Sequence, residues 1–366
     1  MIPSSKMLRN FTHFSKRELA LGLGVFILTF ILVFSIRHNR INYSDAVSSE
    51  TVQVLLLHER TSLSDLPELL DSLEVNYNPE ELKWTGKLLN WKSFEEGRYE
   101  IREGSSNKEF LKRLAFGMQD PQNVLIPTGT TEDRFIQRVS RQLSFENDEL
   151  RRAMKDSTVL ENLGVEEVNL LGRMLPNTYE IYWTSTPEQF LERMISEFDK
   201  AVISQHQELY EKMDKTVDEI VTMASIIEWE ANLDEEKPIV SGLYWNRLNE
   251  NWRLQADPTI NFALGERNRL RYSDYKVDHP YNTYRIHGLP PGPITNPSYS
   301  SINAALYPEE HDYMYMVASP DGGHVFTRTY SEHRQKSREW TTWLREQYRI
   351  RDLREAEEVQ KIEKAN

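Results

Sequence analysis

The sequence contains no cysteine. That excludes disulfides, thiolate metal sites, a cysteine nucleophile and a lipid-modified N-terminal cysteine. It leaves the redox compartment open, because a chain without thiols tolerates either. Positive charge is in deficit: 44 Lys and Arg stand against 57 Asp and Glu, for a net charge of −13. Such a chain gains little from phosphate backbones, so no nucleic-acid partner is expected. There is no H-E-x-x-H pair, no G-x-S-x-G and no Walker-type phosphate loop, and the metal, serine-nucleophile and nucleotide chemistries that use them lack their signatures. His311, His324 and His333 are spread over separate segments and read as ordinary surface or core histidines. No metal or cofactor is expected. Internal repeats and low-complexity segments are absent.

Long apolar runs are also scarce; there is one. Leu19 to Ile36 reads LALGLGVFILTFILVFSI, without a charge. At about 1.5 Å per residue it nearly spans the roughly 30 Å of a hydrocarbon core. Lys6, Arg9, Lys16 and Arg17 precede it, and only Arg37 and Arg40 follow closely. Positive charge tends to stay inside. The expected arrangement is therefore a cytoplasmic N-terminus (1–18), a transmembrane helix (19–36), a polar linker (37–50) and a large body outside the cytoplasm. A cleaved signal peptide is the rival reading, but the run is long for one and no convincing small-x-small site stands just after it.

The remainder is ordinary globular composition, 39% hydrophobic and 28% charged over a 366-residue chain, enough for two or three folded units. The fold class expected is α+β. Thr51 to Leu57 reads as a strand, a helical run begins at Ser62 with Leu63, Leu66, Leu69, Leu70 and Leu73, and a second helix fits Pro79 to Leu89. Gly97 to Ile101 reads as a strand, and Ser106 caps a helix carrying Phe110, Leu111 and Leu114. Nothing in this module looks catalytic. A second unit begins with the strand Asn123 to Pro127 and the turn Thr128-Gly129, continues through amphipathic helices to about Trp252, then through loops to about Pro297. Tyr313 to Ala318 and His324 to Arg328 flank Asp321-Gly322-Gly323, a hairpin signal. A highly charged helical run closes the chain from Ser331.

The candidate chemistry sits on Thr216 to Ala231, TVDEIVTMASIIEWEA. At 100° per residue, Val217, Val221, Ala224 and Ala231 fall within about 60° of Glu228, and Glu230 points about 200° away, toward solvent. A carboxyl on an apolar face holds its proton more tightly, as a general acid must. A buried structural Glu paired with Arg247 or Arg285 fits this spacing equally well. Three segments C-terminal to this helix tip the balance. LYWNRL (243–248), LQADPTINFALG (254–265) and YNTYRIHGLPPGPITNP (281–297) crowd amides, hydroxyls and aromatics onto loops, the groups that bind sugars. Gln255, Asp257, Asn282, Thr283, Tyr284 and Asn246 are the candidate substrate contacts. Pro290, Pro291, Gly292 and Pro297 are read as turn chemistry.

At these residues the sequence resembles the endolytic murein transglycosylase family (MltG, YceG-like). The resemblance rests on Ala224-Ser-Ile-Ile-Glu228, Asn246-Arg-Leu248, Leu254-Gln-Ala-Asp-Pro-Thr259, Tyr281-Asn-Thr-Tyr284, Gly288-Leu-Pro-Pro-Gly292 and Gly323-His-Val-Phe326 with Glu332-His333 behind it, and runs from the anchor to about His333. It implies an anchor in the inner (cytoplasmic) membrane, a LysM-like domain (51–120) and a catalytic domain (121–340); the charged C-terminal helix (341–366) lies beyond it. It implies peptidoglycan glycan strands as substrate, cell-wall synthesis machinery as partner, and Glu228 as sole acid and base. Glu228 would protonate the oxygen between N-acetylmuramic acid and N-acetylglucosamine, then deprotonate the muramic C6 hydroxyl, which closes a 1,6-anhydro ring without water. Gln255, Asn282 and Tyr284 would hold the sugar. Two other readings compete: a lysozyme-like hydrolase with Asp257 or Glu230 as second carboxylate, and a non-catalytic wall-binding scaffold. The chain departs from the family pattern at Thr128, where a Glu is frequent, at Leu171, in place of Glu, and at Asn177, in place of Asp.

Overall fold

The computed structural model describes Ser15 to Ala365 apart from Glu103 and Glu266. Lys6 and Arg9, half of the N-terminal flanking charge, lie outside the described residues. The chain divides into two compact units, residues 1–121 with 182–184, and residues 122–181 with 185–366.

The first unit opens with a helix, Lys16–Asn42, on which no residue is buried. It is long and apolar enough to cross a membrane. It runs past the expected span at both ends: Ser15 and Glu18 form a capping box at its start, and Arg37 to Asn42, expected as linker, continue the helix. Thr29, the one polar side chain in its middle, donates to the Val25 carbonyl at 2.8 Å, so its hydroxyl is satisfied within the helix. After it, Gln53–Leu57 pairs antiparallel with Gly97–Ile101, Leu55 opposite Tyr99. Leu55, Leu57, Tyr99 and Ile101 alternate inward onto Leu66, Leu70, Leu82, Phe110, Leu111 and Leu114. The helices are Leu66–Asp71, Pro79–Leu88 and Asn107–Ala115, with Asn78 and Ser106 capping the last two. The first is shorter than its leucine spacing suggests. Thr61–Ser62 is a strand paired with Ser93–Phe94, and Pro67 sets the first helical turn.

The second unit has two cores. In one, Gln122–Ile126 pairs antiparallel with Asn177–Ile181; Val124, Ile126 and Tyr179 pack with Phe135, Ile136, Met174, Phe190 and Met194 from the surrounding helices. The other is built around Val217–Glu230, against which Lys237–Asn249 and Tyr299–Leu306 pack. The expected hairpin is present, Tyr315–Ala318 with His324–Thr327, and Gly322 takes φ +92 in its turn. A single helix, Tyr330–Ala365, ends the description, with no break at 340.

Candidate active site

The site forms where the Val217–Glu230 helix leaves the second core. Thr216 and Glu219 close a capping box at its start. Every residue from Ile220 to Ile227 is buried. This corrects the helical-wheel expectation: apolar side chains point all round, so the helix has no single apolar face and is enclosed on every side. Small residues let neighbours come close. Ser225 fits beneath the Ile294 amide and accepts its hydrogen bond at 3.0 Å. Glu228 emerges in the last turn with its side chain only 10% exposed.

Its two oxygens are treated differently. Oε2 accepts from the Ser298 amide (3.0 Å), the Ser298 hydroxyl (2.5 Å) and the Ser301 hydroxyl (2.6 Å). Ser298 is the N-cap of Tyr299–Leu306, so the carboxylate stands at the positive end of that helix. Oε1 accepts from the Thr128 hydroxyl at 3.0 Å. The cation beside Glu228 is Lys237, with Nζ 3.6 Å from Oε2, rather than Arg247 or Arg285. Lys237 is buried and also holds Asp234 (2.7 Å) and Ser300 (2.8 Å). Burial is the largest single influence and pushes the Glu228 pKa up. The Ser298 and Ser301 hydroxyls, the Ser298 amide and the Lys237 charge together outweigh it, so the pKa lies below that of an ordinary glutamate. The raised proton affinity expected from an apolar face is therefore corrected: the enclosing groups are donors.

The loop that brings Thr128 is fixed by Asn296, which is fully buried. Its side chain donates to the carbonyls of Pro127 (2.7 Å) and Met174 (3.0 Å) and accepts from the Thr130 amide (3.0 Å). Trp229 donates to the Gly129 carbonyl at 3.0 Å, and Gly129 takes φ +65 there. Beside this turn a cleft of about 490 Å³ opens, with Gly129, Trp229, Asn261 and Arg267 among its walls.

Comparison with known proteins gives the family of the chain as a whole. The model of the YceG-like family covers residues 55–339. The chain belongs to the YceG-like family. It is 27% identical over 302 residues to the endolytic murein transglycosylase of Bacillus subtilis (strain 168), covering 78% of this chain and 84% of that one. It is 30% identical over 272 residues to the endolytic murein transglycosylase of Streptococcus pneumoniae D39, covering 66% of this chain and 49% of that longer one. The crystal structure of a yceG-like protein from Listeria monocytogenes superposes with a TM-score of 0.54 at 30% identity, over 78% of this chain and 99% of that one.

Of the three positions where the sequence departs from the resemblance, Thr128 sets its hydroxyl against Glu228 Oε1. Leu171 is buried in the first core of this unit, and Asn177 is an exposed strand end whose Oδ1 accepts from the Thr178 amide at 2.8 Å. The other candidate contacts divide. Asn282 is fully buried; it donates to the Val277 carbonyl (2.7 Å) and accepts from the Tyr284 amide (3.0 Å). Thr283 is fully buried, bonded to Thr259 (2.8 Å) and the Ala256 amide (3.0 Å). Asn246 donates to the His311 and Tyr313 carbonyls. The polar side-chain atoms of the fully buried Asn282 and Thr283 are engaged inside the protein, which corrects their expected role as sugar contacts, and Asn246 commits its Nδ2 to backbone. Asp257 accepts from Tyr284 (2.6 Å) and Tyr275 (3.3 Å), which helps push the Tyr275 pKa up to about 12, behind burial as the larger cause. Gln255 is exposed and takes φ +52, a conformation that disfavours side chains other than Gly or Asn.

Glu230 corrects a further expectation. It does not point to solvent. Its Oε2 is enclosed and has no hydrogen-bond partner among the described residues. Burial pushes its pKa up and the nearby Asp257 adds to this, against the opposing influence of His324, the Tyr244 hydroxyl and Arg247. The residues sequence reasoning missed are Ser298, Ser301 and Lys237. Asn296-Pro-Ser298 ahead of a helical run is an N-cap signal, but nothing local says which carboxylate that cap will meet.

Proposed function

We propose that this chain is a membrane-anchored lytic transglycosylase that cuts peptidoglycan glycan strands. The observation that carries the reading is one nearly enclosed carboxylate, Glu228, gripped on Oε2 by three donors and set beside Gly129 and Trp229, which line an open cleft. The names of its relatives supply the substrate class. Glu228 acts through Oε1, whose described partner is a single threonine hydroxyl. The proton passes from Oε1 to the glycosidic oxygen as the bond from the muramic C1 breaks, with the sugar's acetamido group easing the charge at C1. Negative charge returns to Glu228 in this step, and the Ser298 and Ser301 donors with Lys237 stabilise it as it develops. The carboxylate then takes the proton of the muramic O6 while O6 bonds to C1, giving a 1,6-anhydro end and restoring the acid.

In the resting site Glu228 is a carboxylate, so the acid form must be favoured by substrate. A sugar seated over Oε1 removes water and competes for the Thr128 hydroxyl, and both changes raise proton affinity. A lysozyme-like hydrolase needs a second ionised carboxylate near the bond. Glu230 suits that poorly, being enclosed and held toward its neutral form, and Asp257 is engaged by two tyrosines. The N-terminus would lie in the cytoplasm and the chain beyond the membrane helix outside, near the machinery that lays down new strands, with residues 51–120 as a LysM-like glycan-holding module. Mass spectrometry of products from purified glycan strands tests the reading: it expects 1,6-anhydro ends, whereas reducing ends would identify a hydrolase.

A further inference from the structure

The cleft beside Glu228 carries charge that the acid–base chemistry does not use. Arg134 and Arg267 both line it. Neither has a carboxylate partner within salt-bridge distance among the described residues, although this chain carries a net charge of −13. Two acids also line the cleft, Glu132 and Asp133, but both are engaged elsewhere. Asp133 lies 2.7 Å from Arg151, and Glu132 lies 3.5 Å from Arg151 and 3.8 Å from Lys155. Arg267 is steadied without being neutralised: its guanidinium lies 5.1 Å from the Trp229 ring centroid and donates to the Trp229 carbonyl at 3.3 Å. Stacking of this kind fixes the plane of a guanidinium while leaving its remaining N–H groups free to fork onto a carboxylate. Gly265, in the left-handed conformation (φ +72), ends the Asp257–Leu264 helix and turns the chain toward Arg267. The cleft adjoins the reacting carboxylate, since a Cβ placed on Gly129 would lie 3.5 Å from Trp229 Nε1 and 3.9 Å from Glu228 Cγ.

We propose that Arg134 and Arg267 form a subsite for a carboxylate carried by the muramyl unit bound next to Glu228. This rests on the glycan-cutting reading and adds what that reading lacks, a reason to prefer an acid-bearing strand over a neutral polysaccharide. Two parts of such a strand could present the carboxylate: the acidic stem peptide, or the lactyl group once the peptide is removed.

The test measures binding, in full-length protein carrying Glu228→Gln so that strands stay intact. Three ligands are compared: strands with stem peptides, strands stripped by an amidase and so bearing free lactyl carboxylates, and stripped strands whose lactyl groups have been amidated. Arg134→Gln and Arg267→Gln should each weaken binding about tenfold, the lower range for a charge-assisted hydrogen bond at an exposed site. The loss should appear on the first ligand if the peptide is read and on the second if the lactyl group is, and should vanish on the amidated strands. Arg→Lys should recover most of it. Because Arg267 also supports Trp229, Arg134→Gln is the cleaner variant. Unchanged affinity on both acid-bearing ligands, or an equal loss on amidated strands, overturns the subsite. Cutting by the wild-type chain is scored separately, so failure of the catalytic reading and failure of this inference remain distinguishable.

Discussion

Glu228 and Glu230 stand two residues apart at the end of one helix, and their surroundings hold them in opposite states. Both are enclosed, and in both burial is the largest influence and favours the neutral acid. Around Glu228 three hydroxyls, a backbone amide at a helix start and a lysine converge. Around Glu230 the enclosed Oε2 has no partner at ordinary hydrogen-bond distance among the described residues, and the nearby Tyr244 hydroxyl only partly offsets burial. Enclosure alone therefore does not decide protonation; the supply of donors does. On the proposed reading the donor-rich carboxyl loses and regains the proton, and the donor-poor one is a buried acid held toward its neutral form.

Replacing each side of the contrast should give effects of very different size. Glu228→Gln keeps the shape but cannot carry a proton, so strand cutting should fall by about 10²- to 10⁴-fold, with the folded state retained by thermal melting. Loss of activity only through unfolding would make Glu228 structural. Ser298→Ala with Ser301→Ala removes two of the three Oε2 donors. Turnover should fall roughly tenfold or more, and the alkaline limb of the pH–rate profile should move up, because a Glu228 with fewer donors keeps its proton to higher pH. An unmoved limb would show that these serines do not govern the acid. Glu230→Gln should act chiefly on stability. A carboxyl whose folded pKa is raised contributes most below its unfolded pKa and loses that contribution as pH rises toward the folded value. The amide should therefore melt about 1–3 °C higher than wild type at neutral pH, and the gain should shrink below about pH 4. A lower melting point at neutral pH would mean that Glu230 is an ionised, paired group.

Local signals account for what was legible in the sequence. The apolar N-terminal helix, the Ser106 cap and the Asp321-Gly322-Gly323 hairpin are each written within a few neighbouring residues. The mixed helix-and-strand class followed from them. The environment of Glu228 was not legible, because its donors come from 70, 73 and 100 residues away. The helical wheel misled because it presumes one wet face, and this helix has none from Ile220 to Ile227. Polar loop composition misled in another way. Asn282 and Thr283 look like ligand contacts by residue type, yet buried backbone must also be satisfied, and irregular loops consume side-chain amides and hydroxyls to do so.

The central claim is the split between the two carboxyls, and titrating them measures it directly. Full-length protein in detergent, with ¹³C-labelled glutamate carboxyls assigned through Glu228→Gln and Glu230→Gln, would be followed by NMR from acid to neutral pH. The account predicts that Glu228 titrates below an ordinary glutamate and Glu230 above one. Glu228 remaining protonated above the ordinary range, or Glu230 ionising at or below it, would contradict it.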